Sequence, residues 1–188
     1  MNLVILEPDD FIAPDRVKLT GRRLEHIRSV HRASSGDELR VGVVDGKIGR
    51  GRVETIGADF VELRVFLEHD PPPPIPLHLI LALPRPKVLN RTIAAAVSMG
   101  IRHIELINSW RVEKSYWDSP RISAGNLHAQ SILGLEQSAD TVLPTIRLHR
   151  LFTPFVRDEL PVLIQDRRAL VAHPEADEKA PRQVAGGR

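Results

Sequence analysis

Between residues 38 and 67 apolar and polar side chains alternate in three short runs, 38–44, 47–56 and 60–67. A period of two puts successive side chains on opposite faces of a strand, so each run predicts a half-buried β-strand. Asp45-Gly46, a dipeptide suited to a tight hairpin, joins the first two, and Gly57-Ala58-Asp59 separates the second from the third. Ahead of them the period lengthens. Leu24, Ile27 and His31 recur at helical spacing behind Thr20, a good N-cap, and predict a helix ending near Arg32. On that helix Arg22 and His26 point away from the apolar face, and Arg23, Arg28 and Arg32 flank it. Ser34-Ser35-Gly36-Asp37 ends it. Short strands, one helix and no room for crossovers predict a small β-barrel.

Asp70-Pro71-Pro72-Pro73-Pro74-Ile75-Pro76 then interrupts every period. A proline run is an extended, semi-rigid spacer and continues neither helix nor central strand. It divides the chain into a barrel domain (1–70), a linker (71–76) and a second domain (77–188). There the apolar run 77–83 predicts a buried parallel strand. A helix over 87–99 stops at Gly100, and a strand over 101–107 and a helix over 121–139 follow. Further strands are predicted at 145–148 and 169–172, around a short helix at 152–160. Alternating strands and helices mean an α/β layer with a parallel sheet. The whole reads as α+β.

Composition narrows the class. The 188 residues are 42% hydrophobic and 27% charged, ordinary for a soluble globular protein, and contain no cysteine for a disulfide or thiolate site. No apolar run is long enough to span a bilayer, and the start lacks the basic region of a signal peptide, so a cytoplasmic protein is expected. The net charge of +2 hides two basic blocks. Residues 16–52 carry ten basic side chains against four acids, and residues 85–121 carry seven against three, whereas 122–188 balances at eight each. Two such blocks flanking a linker suggest two surfaces that meet one polyanion. Of the 26 basic residues 21 are Arg, which forks onto phosphate better than Lys does. An arginine-favouring genome gives the same ratio but accounts less well for the clustering.

Several familiar signatures are absent: Gly-x-Gly-x-x-Gly, a P-loop, a Gly-x-Ser-x-Gly elbow and a His pair at helical spacing. The eight His are scattered, and no metal site is expected. Leu83-Pro84-Arg85-Pro86-Lys87 lies where the first parallel strand meets its helix, the end at which ligands of open α/β sheets gather. Arg85 and Lys87 are candidate phosphate contacts there, although a basic turn is often decorative. Asn108-Ser109-Trp110-Arg111-Val112-Glu113-Lys114-Ser115-Tyr116-Trp117 follows the second strand and holds both Trp and the only Tyr. Cations among rings suit RNA, with charges for phosphate and faces for unstacked bases. Trp110, Arg111 and Lys114 are the candidates, and at least one of the two indoles is expected to pack the loop onto the sheet. Gly134, inside a helix, hints at close packing. Glu136-Gln137 reads by default as solvent-facing.

Taken in order, these segments resemble the 16S rRNA uracil-N3 methyltransferases of the SPOUT superfamily. The likeness starts at Leu19-Thr20-Gly21-Arg22-Arg23-Leu24-Glu25-His26-Ile27-Arg28-Ser29-Val30-His31-Arg32 and Gly36-Asp37-Glu38-Leu39-Arg40-Val41, similar to the opening of the family's PUA-like RNA-binding barrel. It resumes at Leu81-Ala82-Leu83-Pro84-Arg85-Pro86-Lys87, Met99-Gly100-Ile101, Arg111-Val112-Glu113-Lys114, Glu136-Gln137 and Pro144. In the commoner pattern an arginine follows the Glu-Gln shortly; here Asp140-Thr141 occupies that region. The resemblance implies a PUA-like barrel followed by a trefoil-knot α/β domain. It also implies S-adenosylmethionine as cofactor, 16S rRNA of the small subunit as partner, no membrane, and a homodimer for the full-length protein. RNA contacts are expected from Arg22, Arg23, Arg28, Arg32, Arg85, Lys87, Trp110, Arg111 and Lys114. Ala172, His173 and Pro174 match a loop at the cofactor cleft.

The family continues into a Gly-Pro-Glu-Gly-Gly loop, an Arg-rich segment ending in Glu-Thr-Ala and a last helix, the pieces of its knot. None occurs in these 188 residues. The chain therefore reads as C-terminally truncated, with an incomplete cofactor site and no assignable catalytic base. The reaction is implied for the parent protein. A non-catalytic RNA-binding or ribosome-assembly protein is the alternative. A small-molecule α/β enzyme would need a concave polar site, for which the sequence shows no constellation.

Overall fold

The computed structural model describes residues 3–173 and 175–177. The first sheet has six strands: β1 (Val4–Leu6), β2 (Phe11–Ala13), β3 (Arg16–Leu19), β4 (Glu38–Val43), β5 (Ile48–Ile56) and β6 (Val61–His69). Their order is β1-β4-β5-β6-β3-β2, antiparallel apart from the β1–β4 pair. The sheet curls around Val17, Leu19, Val41, Val53, Val61 and Leu63, all essentially inaccessible. Alternation along β4, β5 and β6 supplies these inward side chains, and the Asp45-Gly46 turn sits where the sequence predicts it. The three N-terminal strands escape a periodicity reading because runs of three or four residues carry too few positions to show a period.

The barrel helix differs from expectation. Thr20 occupies the N-cap position, but its side chain makes no capping bond. α1 (Gly21–His26) passes into a single π turn over Ile27–His31, closed by Arg32 in the left-handed region. The wider turn ends the 3.6-residue period, so Leu24 and Ile27 are buried whereas His31 is exposed.

The second sheet is parallel, with β7 (His78–Ala82), β8 (His103–Ile107) and β9 (Thr145–His149) in that order. α2 (Pro86–Ser98) and α3 (Ala124–Ser138) cover one face, onto which Leu79, Leu81, Ile104, Leu106 and Ile146 point. α3 starts at Ala124 rather than 121 because the Ser123 side chain accepts from the Asn126 N–H and fixes the cap there. Gly134 is where the two helices touch. A Cβ there would lie 2.6 Å from Val97 Cβ and 2.7 Å from the Ala94 carbonyl oxygen. β7 is an edge strand and only half-buried, not the two-face-buried strand that its apolar run predicts. The helical segment after β9 runs on to residue 164, through α4 (Phe152–Pro154), a π turn over Phe155–Glu159 and α5 (Leu160–Ile164). No fourth strand forms at 169–172. Leu170 and Val171 are exposed, and a four-residue strand does not persist without a ladder partner.

The face of this sheet away from α2 and α3 is polar at its centre. Glu105 on β8 is 2% exposed, and its two oxygens accept from His78 Nε2 at 2.9 Å and His149 Nε2 at 2.6 Å. Arg167 donates to His78 Nδ1 at 2.7 Å, which places that ring's proton on Nε2. The other nitrogen of His149 faces Glu159 at 3.2 Å. A buried carboxylate is tolerated when paired and hydrogen-bonded in this way. The network and the inaccessible Phe155 ring, tilted against His149 at a centroid distance of 4.6 Å, fasten the segment after β9 to the sheet.

The two sheets do not hang apart on the linker. β1 sends Val4 and Leu6 into the barrel core and Ile5, with Leu3 just before the strand, into the α/β core, which Ile48 of β5 also joins. The 43–47 hairpin turn docks on the segment after α3: Thr141 Oγ1 donates to the Gly46 carbonyl at 2.6 Å and the Asp45 N–H to the Thr141 carbonyl at 2.8 Å. At Gly42 the approach leaves no room for a side chain, since a Cβ would lie 2.5 Å from Thr141 Cγ2. Asp140 is 3% exposed and accepts from Arg102 and from the backbone N–H groups of Thr141 and Val142. The Asp140-Thr141 pair thus braces the domain junction.

Candidate nucleic-acid interface

The cations of the first basic block divide by what they touch. Arg22 donates both guanidinium arms to Glu136 of α3, at 2.9 and 2.7 Å. Glu136 is 1% exposed, so the acid expected to face solvent is buried at the domain junction, where its carbonyl also accepts from Leu3 N–H. That charge-assisted fork raises the pKa of Arg22 further. Arg23 turns inward, donating to the Ile5 carbonyl and, with both arms, to Asp10, itself 8% exposed. Both were expected to contact RNA. In the structure both are paired internally, because two acids outside the helix, Glu136 and Asp10, come to lie beside α1, while the Arg22 side chain stays about half exposed. Arg28 and Arg32 remain exposed; Arg28 gives one bond to the Ala58 carbonyl, which leaves its charge uncompensated. Beside them burial lowers the pKa of His26 first of all, and the His31 imidazole reinforces the shift. Its Nε2 is buried with no partner among the described residues.

The second block is arranged differently. Arg85, Lys87, Arg91, Arg111, Lys114 and Arg121 are all exposed, and none reaches a carboxylate among the described residues. The seventh cation, Arg102, is the one paired with an acid, Asp140. Of the acids of this stretch Glu105 is buried, whereas Glu113, which accepts from Tyr116 Oη, and Asp118, 3.8 Å from Arg150, are exposed. All six free cations lie on the connections at the carboxyl ends of β7 and β8, or on the helix layer that starts there.

The loop after β8 is held by Asn108. Its Oδ1 accepts from the Ser109 N–H at 3.1 Å and from Trp117 Nε1 at 3.4 Å, and its backbone N–H donates to the His149 carbonyl. Trp117 is 5% exposed and Arg150 lies over its ring, so this indole packs the loop onto the sheet. Trp110 is 99% exposed. One ring therefore anchors the loop while the other stands in solvent beside Arg111, as the division of roles expected from the sequence requires. An exposed indole between cations offers a stacking face to a base and charge to its phosphates.

Ala172 and His173 lie in exposed chain beyond the helical segment, where His173 Nδ1 accepts from the Glu175 N–H. Pro174 lies outside the described residues. Two open cavities of about 380 and 370 Å3 are lined by barrel residues such as Arg40, Ile48 and His69, the first also by Ser138 and Ala139. Neither touches Ala172 or His173. These residues do not form an enclosed cleft and do not fit S-adenosylmethionine by themselves. Among the described residues no group of His, Asp and Glu is placed to hold a metal ion, and no helix is long and apolar enough to cross a membrane.

Comparison with known proteins agrees with this architecture. Residues 19–66 match the model of an RNA methyltransferase PUA domain, and residues 71–185 that of an RNA methyltransferase domain. The chain is 30% identical over 166 residues to the ribosomal RNA small subunit methyltransferase E of Treponema pallidum, a match covering 87% of this chain and 62% of that protein. It is similar in fold to a probable rRNA-methyltransferase from Porphyromonas gingivalis (TM-score 0.64, 22% identity, 84% of this chain and 64% of that one). It also resembles a ribosomal RNA small subunit methyltransferase E from Neisseria gonorrhoeae bound to S-adenosyl methionine (TM-score 0.60, 18% identity, 80% and 62%). The chain thus spans somewhat less than two thirds of the length of these relatives. With more than half of its residues inside the RNA methyltransferase domain, the chain belongs to that family of RNA methyltransferases.

Proposed function

We propose that these residues are the RNA-docking part of an enzyme that transfers a methyl group from S-adenosylmethionine to N3 of a uridine in 16S rRNA. Residues 1–70 act as the PUA-like barrel, 71–76 as the linker and 77–188 as the first part of the catalytic domain. The single observation carrying this reading is the set of unpaired cations around the exposed Trp110 at the carboxyl ends of the parallel strands. Ligands of open α/β sheets bind there, and the pattern suits a polyanion with unstacked bases. The name of the Treponema relative supports the small-subunit target. The Neisseria relative's bound S-adenosyl methionine supports the methyl donor.

N3 of uracil carries a proton in the base pair and becomes nucleophilic only when it leaves. The uridine must also be unstacked, at a cost of a few kcal/mol. Arg85, Lys87, Arg111 and Lys114 supply part of that energy by neutralising phosphates, and Trp110 offers the turned-out base a face. Arg28 and Arg32 of the barrel hold a second stretch of the same RNA. By the family resemblance the parent protein works in the cytoplasm as a homodimer. Ala172 and His173 are exposed and do not enclose the methyl donor by themselves. Mass analysis of nucleosides from 16S rRNA treated with S-adenosylmethionine tests the proposal. The chain extended to its relatives' length should form 3-methyluridine; RNA binding with no methyl transfer by that longer chain would leave a non-catalytic RNA-binding protein.

A further inference from the structure

The RNA surface does not stop at the loops that the family motifs mark. We infer that the outward face of the α2–α3 layer is a phosphate-binding track for RNA, with Arg91 and Arg121 as its contacts, continuing the cations of the strand ends. The inference rests on the RNA-docking reading above and extends it to a surface that neither the motifs nor the relatives' names assign.

Three observations carry it. First, Arg91 and Arg121 are exposed and meet no carboxylate among the described residues. Second, the layer is depleted of negative charge: α2 contains no acid, and the one acid of α3, Glu136, is buried at the domain junction and neutralised by Arg22. Glu7 reaches His128 of α3 at 2.8 Å, but no carboxylate comes within ion-pair distance of Arg91 or Arg121 among the described residues, so these two cations keep a positive potential that surface ion pairs elsewhere on the molecule cancel. On the barrel, by contrast, Arg16 and Arg64 share Glu54, and Arg50 faces both Glu38 and Glu68. Third, the spacing is built. Asn90 of α2 and Asn126 of α3 exchange amide hydrogen bonds at 3.3 and 3.0 Å, and Asn126 Nδ2 also donates to the Arg121 carbonyl at 2.6 Å. This clasp pins the turn carrying Arg121 against the helix carrying Arg91. On α2, Lys87 and Arg91 are four residues apart and therefore share a face. The path runs from Arg111 and Lys114 past Arg121 to Arg91 and Lys87, and suits a backbone of repeating phosphates. It offers no base-specific pocket, so it positions the RNA rather than reading it.

The experiment is a fluorescence-anisotropy titration of a labelled 16S rRNA fragment over a series of KCl concentrations. The wild-type chain is compared with R91E/R121E and with R168E, which reverses an exposed cation outside the track. If both arginines hold phosphates, R91E/R121E weakens binding by roughly tenfold or more at 0.1 M salt and flattens the log K against log salt slope by about 2, with R168E close to wild type. Wild-type binding that R91E/R121E leaves unchanged in affinity and slope overturns the track while the strand-end docking reading stands. An equal loss in R168E shows a general charge effect and also overturns it. If the wild-type chain binds no RNA, the docking reading falls and takes the track with it. All three positions are exposed, and unchanged thermal unfolding confirms that the variants fold.

Discussion

The two basic blocks look alike as charge counts and behave differently as structure. On the barrel helix Arg22 is paired with Glu136 across the domain junction, and Arg23 with Asp10 inside the barrel domain. Around the strand ends of the α/β domain, Arg85, Lys87, Arg111 and Lys114 face solvent with no acid partner among the described residues. The difference lies in where the acids go. Near α1 the fold delivers carboxylates from elsewhere in the chain. Near the second block it buries Glu105 among histidines and, among the described residues, brings no carboxylate within ion-pair distance of these four cations. A cation's role is thus decided by the acid that tertiary structure brings to it, and local charge density does not reveal that. The tryptophans repeat the contrast within one loop, Trp117 being structural and Trp110 free.

The largest expected effect sharpens the tryptophan contrast. Trp117→Ala should lower unfolding free energy by about 3–5 kcal/mol in a denaturant titration, since it empties a packed site. Trp110→Ala should stay within about 0.5 kcal/mol of wild type in stability and lose about 1–3 kcal/mol of RNA affinity. Equal stability losses would remove the distinction. Next comes the junction pair. Arg22→Ala leaves the buried Glu136 carboxylate unpaired and should cost about 3 kcal/mol. Glu136→Gln, which removes the buried charge, should cost less because the half-exposed Arg22 regains water. If Arg22→Ala proves neutral in stability yet abolishes RNA binding, Arg22 belongs with the free cations after all.

A smaller effect is expected from R111E/K114E. The variant should keep the wild-type unfolding midpoint while the salt slope of RNA binding flattens by about 2. A drop in midpoint without a change in slope would class these two cations with Arg22 and Arg23. The smallest concerns His26. Its folded pKa lies below the free imidazole value of 6.5, chiefly through burial, so the unfolded chain takes up the proton more readily. The contribution is present above pH 6.5 and lost as the pH falls toward the folded value. His26→Gln should therefore flatten the fall in stability measured between about pH 7 and pH 5. An unchanged pH dependence would show that His26 protonates equally in both states.

How much of this the sequence discloses depends on range. The hairpin strands, the stop at Gly100 and the close helix contact at Gly134 are local or nearly so, and residues 38–69 and 86–107 read correctly within a few positions. The failures share a cause. Glu136 meets Arg22 across 114 positions, and Glu105 meets His78 and His149 across 27 and 44. A carboxylate in His103-Ile104-Glu105-Leu106-Ile107 does announce that a partner is needed, since an acid amid apolar strand residues is costly alone. It does not say which partner. His31 leaves the apolar face because a π turn breaks the helical period. The expected strand at 169–172 shows that apolar residues make a strand only where a neighbour exists.

β1 has a further consequence. Its alternate side chains lie in two different cores, so the proline stretch marks a change in composition without marking a line along which the molecule can be divided. A fragment starting at residue 77 would lack Leu3, Ile5 and Ile48, and the remaining barrel would present those three apolar side chains to water. Neither half should then fold as a self-sufficient unit, and both should melt in one concerted transition. Grafting this barrel onto another catalytic domain would therefore mean carrying the surface that receives β1 along with it.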